Sequence, residues 1–155
     1  MAKKLALLGA VRGGYEKEIH DILQICGHCW TGWTYYINKD AKIILDKQFS
    51  NDKYFHIFVH DVEKPKDKSF PKGRGCVWYK IKVKEYKFET STDENCTTYR
   101  DRNDKHSLAA CVFEPIIEIK PKKWNEFDDY FRGGPISSKY PWRGTNSPFG
   151  CIADE

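Results

Sequence analysis

The stretch from Cys76 to Phe88 constrains this chain most. Val77, Tyr79, Ile81 and Val83 alternate there with Trp78, Lys80, Lys82 and Lys84. A period of two belongs to a strand whose faces meet different surroundings. The first set is expected to face a core. The second is expected to face outward, so that one strand displays a tryptophan and three lysines on a single face. Such a strand needs pairing partners, and the flanking sequence offers several.

Tyr54 to His60 also alternates, with Phe55, Ile57 and Val59 on one side and His56, Phe58 and His60 on the other. Leu5 to Val11 reads as a short buried strand closed by Gly13-Gly14. Tyr15, Ile19, Ile22, Leu23 and Cys26 then share one helical face, and Gly27 is a plausible stop. Trp33 to Ile37 is aromatic and β-branched and reads as a strand, punctuated by Asn38-Lys39-Asp40 before a strand-like Ile43-Ile44-Leu45. A Pro- and Lys-rich loop ends at Gly73-Arg74-Gly75, and Glu89 to His106 reads as a long polar loop or extended hairpin. Ala109 to Lys120 has strand composition, with Pro115 implying a bulge or an edge. Trp124, Phe127 and Phe131 recur at helical spacing before Gly133-Gly134. The tail from Pro135 has no period. Strands thus dominate and are expected to follow one another without helical crossovers. The expected fold is α+β: a small curled antiparallel β-barrel flanked by helices.

At 155 residues, with no repeat or internal linker, residues 1–155 are expected to form one domain. No apolar run approaches the roughly 18–20 residues of a membrane span. The N-terminus lacks a signal-peptide pattern, so a cytoplasmic protein with no membrane partner is expected. Two Gln and one Met stand against 26 Lys+Arg and 22 Asp+Glu. That bias suggests a thermophile, archaeal in our expectation. Source matters for the six cysteines, because hyperthermophiles are the exception to reduced intracellular thiols.

The net charge of +4 conceals a split. Between Lys64 and Lys87 nine basic residues face two acidic ones, a local +7 that leaves −3 elsewhere. A basic face on a near-neutral body is the electrostatic footprint of phosphate recognition, although lysine runs are also common on solvated surfaces. Lys72, Arg74, Lys80, Lys82 and Lys84 are the candidate phosphate-binding residues.

Cys26-Gly27-His28-Cys29 spells a redox motif, but it follows a helix instead of opening one, and Trp30 comes after it. The same cysteines have zinc-ligand spacing without a second pair. His56 and His60 lie roughly 13 Å apart on one strand face. No metal and no cofactor is therefore expected. Cys76, Cys96, Cys111 and Cys151 are expected as buried small hydrophobes or in a disulfide. Asp128-Asp129 is explained as solvated charge, and no nucleophile–base pair or phosphate loop is evident, so no catalytic residue is assigned. What remains is aromatic: Trp30, Trp33, Tyr35, Tyr36 and Trp78 are candidates for a base-binding pocket, since rings beside cations suit a nucleobase. Taken singly, each ring is better explained by core filling, and it is the combination that favours binding.

In the order Gly75-Cys-Val-Trp-Tyr-Lys-Ile-Lys-Val-Lys84, a polar excursion, Val112 to Lys120, then Trp124-Asn-Glu-Phe127, the sequence resembles the PUA-like superfamily in its EVE, ASCH and YTH branches. The resemblance covers roughly residues 30 to 131. It implies a curved barrel, and several branches take modified bases in an aromatic pocket. A basic version resembles the N-terminal target-recognition domain of McrB-type modification-dependent restriction ATPases. The implied role is the specificity module of a restriction system, working with a fused or associated AAA+ motor and a nuclease subunit. The expected function is nucleic-acid binding, DNA ahead of RNA, without catalysis in this domain. The alternatives are an RNA-binding PUA-like module and a thiol- or metal-dependent enzyme centred on Cys26/Cys29.

Overall fold

A computed structural model describes residues 3–62, 75–88, 95–98, 106–136 and 149–154. Strand β1 (Lys4–Val11) leads through Gly13-Gly14 into helix α1 (Tyr15–Cys26). Ile19 is the fully buried residue of α1, with Ile22 and Leu23 packed beside it on the expected face. Gly27 stops the helix in the left-handed region (φ 79°), where its N–H reaches the Leu23 carbonyl at 2.8 Å.

The next segment departs from expectation. Strand β2 is Cys29–Trp33, and helix α2 (Lys39–Asp52) occupies the place of the expected Ile43–Leu45 strand. Asn38 caps α2: its side chain accepts a hydrogen bond from the Ala41 N–H at 2.7 Å. Ala41 and Leu45 are fully buried, a separation of four residues, while Ile43 is 57 % exposed. The Ile43-Ile44-Leu45 run therefore straddles a helix face instead of filling a sheet.

Strands β3 (Phe55–Asp61), β4 (Val77–Lys87), β5 (Leu108–Val112), β6 (Ile117–Lys122) and β7 (Gly150–Asp154) complete a seven-stranded sheet. The order is β2-β5-β4-β3-β1-β7, with β6 also paired to β4. One edge of β4 is shared: β5 pairs with its C-terminal half and β6 with its N-terminal half. Pro115, which cannot donate to a ladder, lies in the break between them, as its chemistry requires. β7 falls in the tail where no period is visible.

The fold is α+β, as expected, but two features differ from a closed antiparallel sheet. β1 pairs with β3 in parallel, and α1, β2 and α2 form the connection between them, so the sheet is mixed and has a helical crossover. No ladder among the described residues joins β2 to β7, so the sheet is open. One hydrogen bond, from the Phe149 N–H to the Tyr36 carbonyl at 2.9 Å, ties the chain after β2 to the chain before β7. The expected helix at Trp124–Phe131 is a single 3-10 turn, Trp124–Glu126. It ends at Phe127, whose backbone is extended (φ −89°, ψ 143°), and further on the Asp129 side chain accepts the N–H groups of Phe131 and Arg132, closing a turn.

The main core lies between α1, α2 and one sheet face and includes Leu7, Leu45, Ile57, Tyr79 and Ile81. Each such aliphatic side chain contributes about 1.5–3 kcal/mol by leaving water. The opposite face carries a second, smaller cluster of Ala6, Leu8, Phe58, Val77 and Ile152, covered by Phe127 and Ile136.

Candidate nucleic-acid interface

Parallel pairing brings the C-terminal ends of β1 and β3 to the same end of the sheet as the start of β4. There the chain turns at Gly13-Gly14, Gly14 adopting φ 88°, a conformation glycine takes without strain. A cavity of about 730 Å³ opens at this turn, between Val11–Tyr15, the first turns of α1 (Lys17, Glu18, Asp21) and Thr98. That volume lies within the range of small-molecule sites.

Tyr15 forms the aromatic wall. Its ring meets Trp33 edge-on at 5.8 Å between centroids, and Trp33 in turn contacts Tyr35 (6.1 Å) and Phe149 (5.6 Å). The Tyr35 hydroxyl donates to the Ala10 carbonyl. Trp33 lies flat enough on β1 that a Cβ on Gly9 would stand 2.6 Å from its ring. Behind this wall is polar chemistry at full burial. Among the described residues the Tyr79 hydroxyl, the Trp33 and Trp78 indole N–H groups and one Glu16 carboxylate oxygen have no hydrogen-bond partner. Burial holds the Tyr79 phenol strongly up, and the nearby Tyr15, Asp61 and Glu16 add to that. At the rim, Asp21 bonds Lys17 at 2.8 Å and raises its pKa. Arg12 is exposed and enters no ion pair among the described residues.

Thr98 reaches the cavity through a covalent tie. Cys26, the last residue of α1, is disulfide-bonded to Cys96, 70 positions away. Cys96 accepts the Trp30 N–H, and the Thr98 N–H donates back to the Trp30 carbonyl at 2.9 Å. The Cys26-x-x-Cys29 motif is therefore split between a disulfide and a buried thiol. Cys29 is pushed up to about 12, chiefly by burial, as is Cys151. Cys76 and Cys111 are likewise buried and unbridged. Among the described residues no three His, Cys, Asp or Glu side chains converge as metal ligands.

These raised thiols have a measurable consequence. Between pH 9.0 and about 12 an unfolded cysteine loses the proton that the folded one keeps, so stability falls as pH rises through that window. The urea midpoint is expected to decline less steeply there in a Cys29→Ala/Cys151→Ala variant than in the wild type. Parallel declines would show that the thiols play no part.

The aromatic residues expected to share a pocket are divided. Trp33 and Tyr35 come together, joined by Tyr15 and Phe149. Trp30 points to the other face of β2, against Ala109 and Cys111. Tyr36 is 55 % exposed and stands apart. Trp78 is displaced from the lysine face by a bulge: Val59 pairs with Tyr79 and His60 with Val77, leaving Trp78 as the extra residue. Val77 consequently joins the outer cluster, while Trp78 packs on the main core beside Tyr79, their centroids 4.7 Å apart.

Lys80 and Lys82 do lie on the outer face, over the rings of Phe58 (5.2 Å) and Tyr54 (4.5 Å). Lys84 is engaged by Glu114, whose pKa it lowers. Lys72 and Arg74 lie outside the described residues. The chain leaves them after Val62 and returns at Gly75, and Val62 donates its N–H to Val11 in the cavity wall at 3.1 Å. Sequence reasoning missed Tyr15, Arg12 and Thr98. The signal for the first two was Gly13-Gly14, which it used only as a boundary. Comparison with protein-family models, curated proteins and solved structures finds no match.

Proposed function

We propose that the chain is a nucleic-acid recognition domain, DNA ahead of RNA, that takes a base into the cavity beside Tyr15. The observation that carries this is one of placement. An aromatic wall of Tyr15 backed by Trp33 and Tyr35, a free-standing Arg12 and unused buried hydrogen-bonding atoms gather at one end of the sheet. A ring stacked on Tyr15 would gain about 1–3 kcal/mol. Phosphate contacts supply most of the affinity and the cavity the selectivity. They would come from Arg12, from Lys80 and Lys82, and from Lys72 and Arg74.

The curl that brings Tyr36 to Phe149 is compatible with a PUA-like barrel. A role as the specificity module of a cytoplasmic restriction system, alongside a motor and a nuclease, belongs to the same proposal. The thiol-enzyme alternative loses support, since Cys26 is bonded and Cys29 is buried with its proton held tightly.

The test is fluorescence anisotropy at two salt concentrations with single- and double-stranded DNA and RNA, with and without methylated bases. Salt-sensitive binding with preference for one modified duplex is expected. Binding no stronger than that of a control protein of equal charge would end the proposal, and preference for RNA would move it to the RNA-binding alternative. Tyr79→Phe refines the test. Removing an unpartnered buried hydroxyl should leave stability unchanged or raise it by about 1 kcal/mol. If that hydroxyl reads the base, affinity for the preferred duplex falls while affinity for unmodified duplex does not. Equal affinities in both proteins would remove Tyr79 from the site.

A further inference from the structure

On the face of the sheet opposite the cavity, Phe58 of β3 and Phe127 meet edge-on at 5.2 Å. An ammonium stands over each ring: Lys80 over Phe58 at 5.2 Å and Lys122 over Phe127 at 4.8 Å. These groups and Lys120 line a groove of about 230 Å³. Lys80, Lys120 and Lys122 take part in no ion pair among the described residues.

A ring face positions an ammonium without neutralising it, whereas a carboxylate does both. Two of the three charges are therefore held in place without an ion-pair partner among the described residues. The groove also contains Glu126 and Asp128. One Glu126 oxygen is occupied, accepting the Lys123 N–H at 2.7 Å. Three cations against two carboxylates favour a compact anion over an extended polyanion lying deep in the groove.

We infer that this groove binds one phosphate group, that of a nucleic-acid backbone crossing the outer face, with Lys80, Lys120 and Lys122 as its donors. The inference rests on the nucleic-acid function proposed above and extends its contact surface to β6, which the basic segment Lys64–Lys87 does not include. A backbone phosphodiester and a free phosphate present the same oxygens, so the experiment separates them.

Binding of the preferred duplex is measured across a salt series for the wild type, Lys120→Ala/Lys122→Ala, and the control Lys39→Ala/Lys47→Ala, which removes equal charge from the exposed side of α2. Inorganic phosphate is titrated in parallel while the lysine side-chain resonances are followed by NMR. The expected result is a loss of about 0.9 in the logarithmic salt slope in the groove variant, the value for one phosphate, and none in the control. Inorganic phosphate should shift the Lys80, Lys120 and Lys122 resonances. An equal slope change in both variants, or none in either while the wild type still binds duplex, overturns the groove and leaves the proposed function standing. Shifted lysine resonances without any nucleic-acid binding by the wild type establish a site for free phosphate and overturn the proposed function together with the backbone assignment. Neither response overturns both.

Discussion

Reducing the Cys26–Cys96 disulfide is expected to cost the fold roughly 4 kcal/mol. The bond closes a loop across 70 positions of sequence, and releasing that constraint returns conformational entropy to the unfolded chain, roughly 4 kcal/mol for a loop of this length in the chain-entropy treatment. Urea unfolding with and without a phosphine reductant measures it, and Cys96→Ser should reproduce the reduced protein. Superimposable curves would mean that the cysteines are unbridged in solution. The loss should also be local. Thr98 is held by its bond to Trp30 and by the covalent anchor two residues away, so reduction loosens one wall of the cavity. Base-selective affinity should then weaken before global unfolding begins. A drop in stability with selectivity intact would separate the disulfide from the site.

Trp33→Ala should destabilise the protein by about 3–5 kcal/mol, the range for losing a large buried ring with incomplete collapse around it. The indole is 3 % exposed and touches Tyr15, Tyr35 and Phe149, while Gly9 leaves room for it against β1. Thermal or urea unfolding gives the value. A loss below about 1 kcal/mol would mean that the ring is not packed as described, because surface substitutions fall in that range. Loss of nucleic-acid binding in this variant is therefore uninformative by itself. Tyr15, partly exposed in the cavity wall, is the residue whose replacement tests the proposed stacking directly.

Long two-faced elements were legible in the sequence because their surroundings impose a period. β3 alternates between the main core and the outer cluster, and α1 presents one apolar face to the sheet. Legibility failed where a partner dictates geometry. The Trp78 bulge depends on pairing with β3, and nothing local in Cys76–Phe88 announces it. α2 hid behind Ile43-Ile44-Leu45, whose composition favours strands although only Leu45 is fully buried. β7 is too short to display a period and exists because β1 offers an edge. The candidate site was legible as an inventory of rings and cations but not as a map. The Trp33 and Tyr35 rings do meet, Trp30 belongs to the other face of its strand, and Thr98 arrives through a cysteine pairing that spacing could not specify.

The pairing of β1 with β7 sets Lys4 opposite Asp154 and makes the first strand wait for the last. While the chain emerges from the ribosome, β1 can pair with β3 early, but its other edge stays open until residues 150–154 appear. The sheet cannot be completed piecemeal from the N-terminus. Pairing between positions about 150 residues apart raises contact order, and higher contact order slows folding. A nascent or truncated form lacking the last strand would carry an unpaired row of backbone donors and acceptors along β1, the feature that invites pairing with another copy.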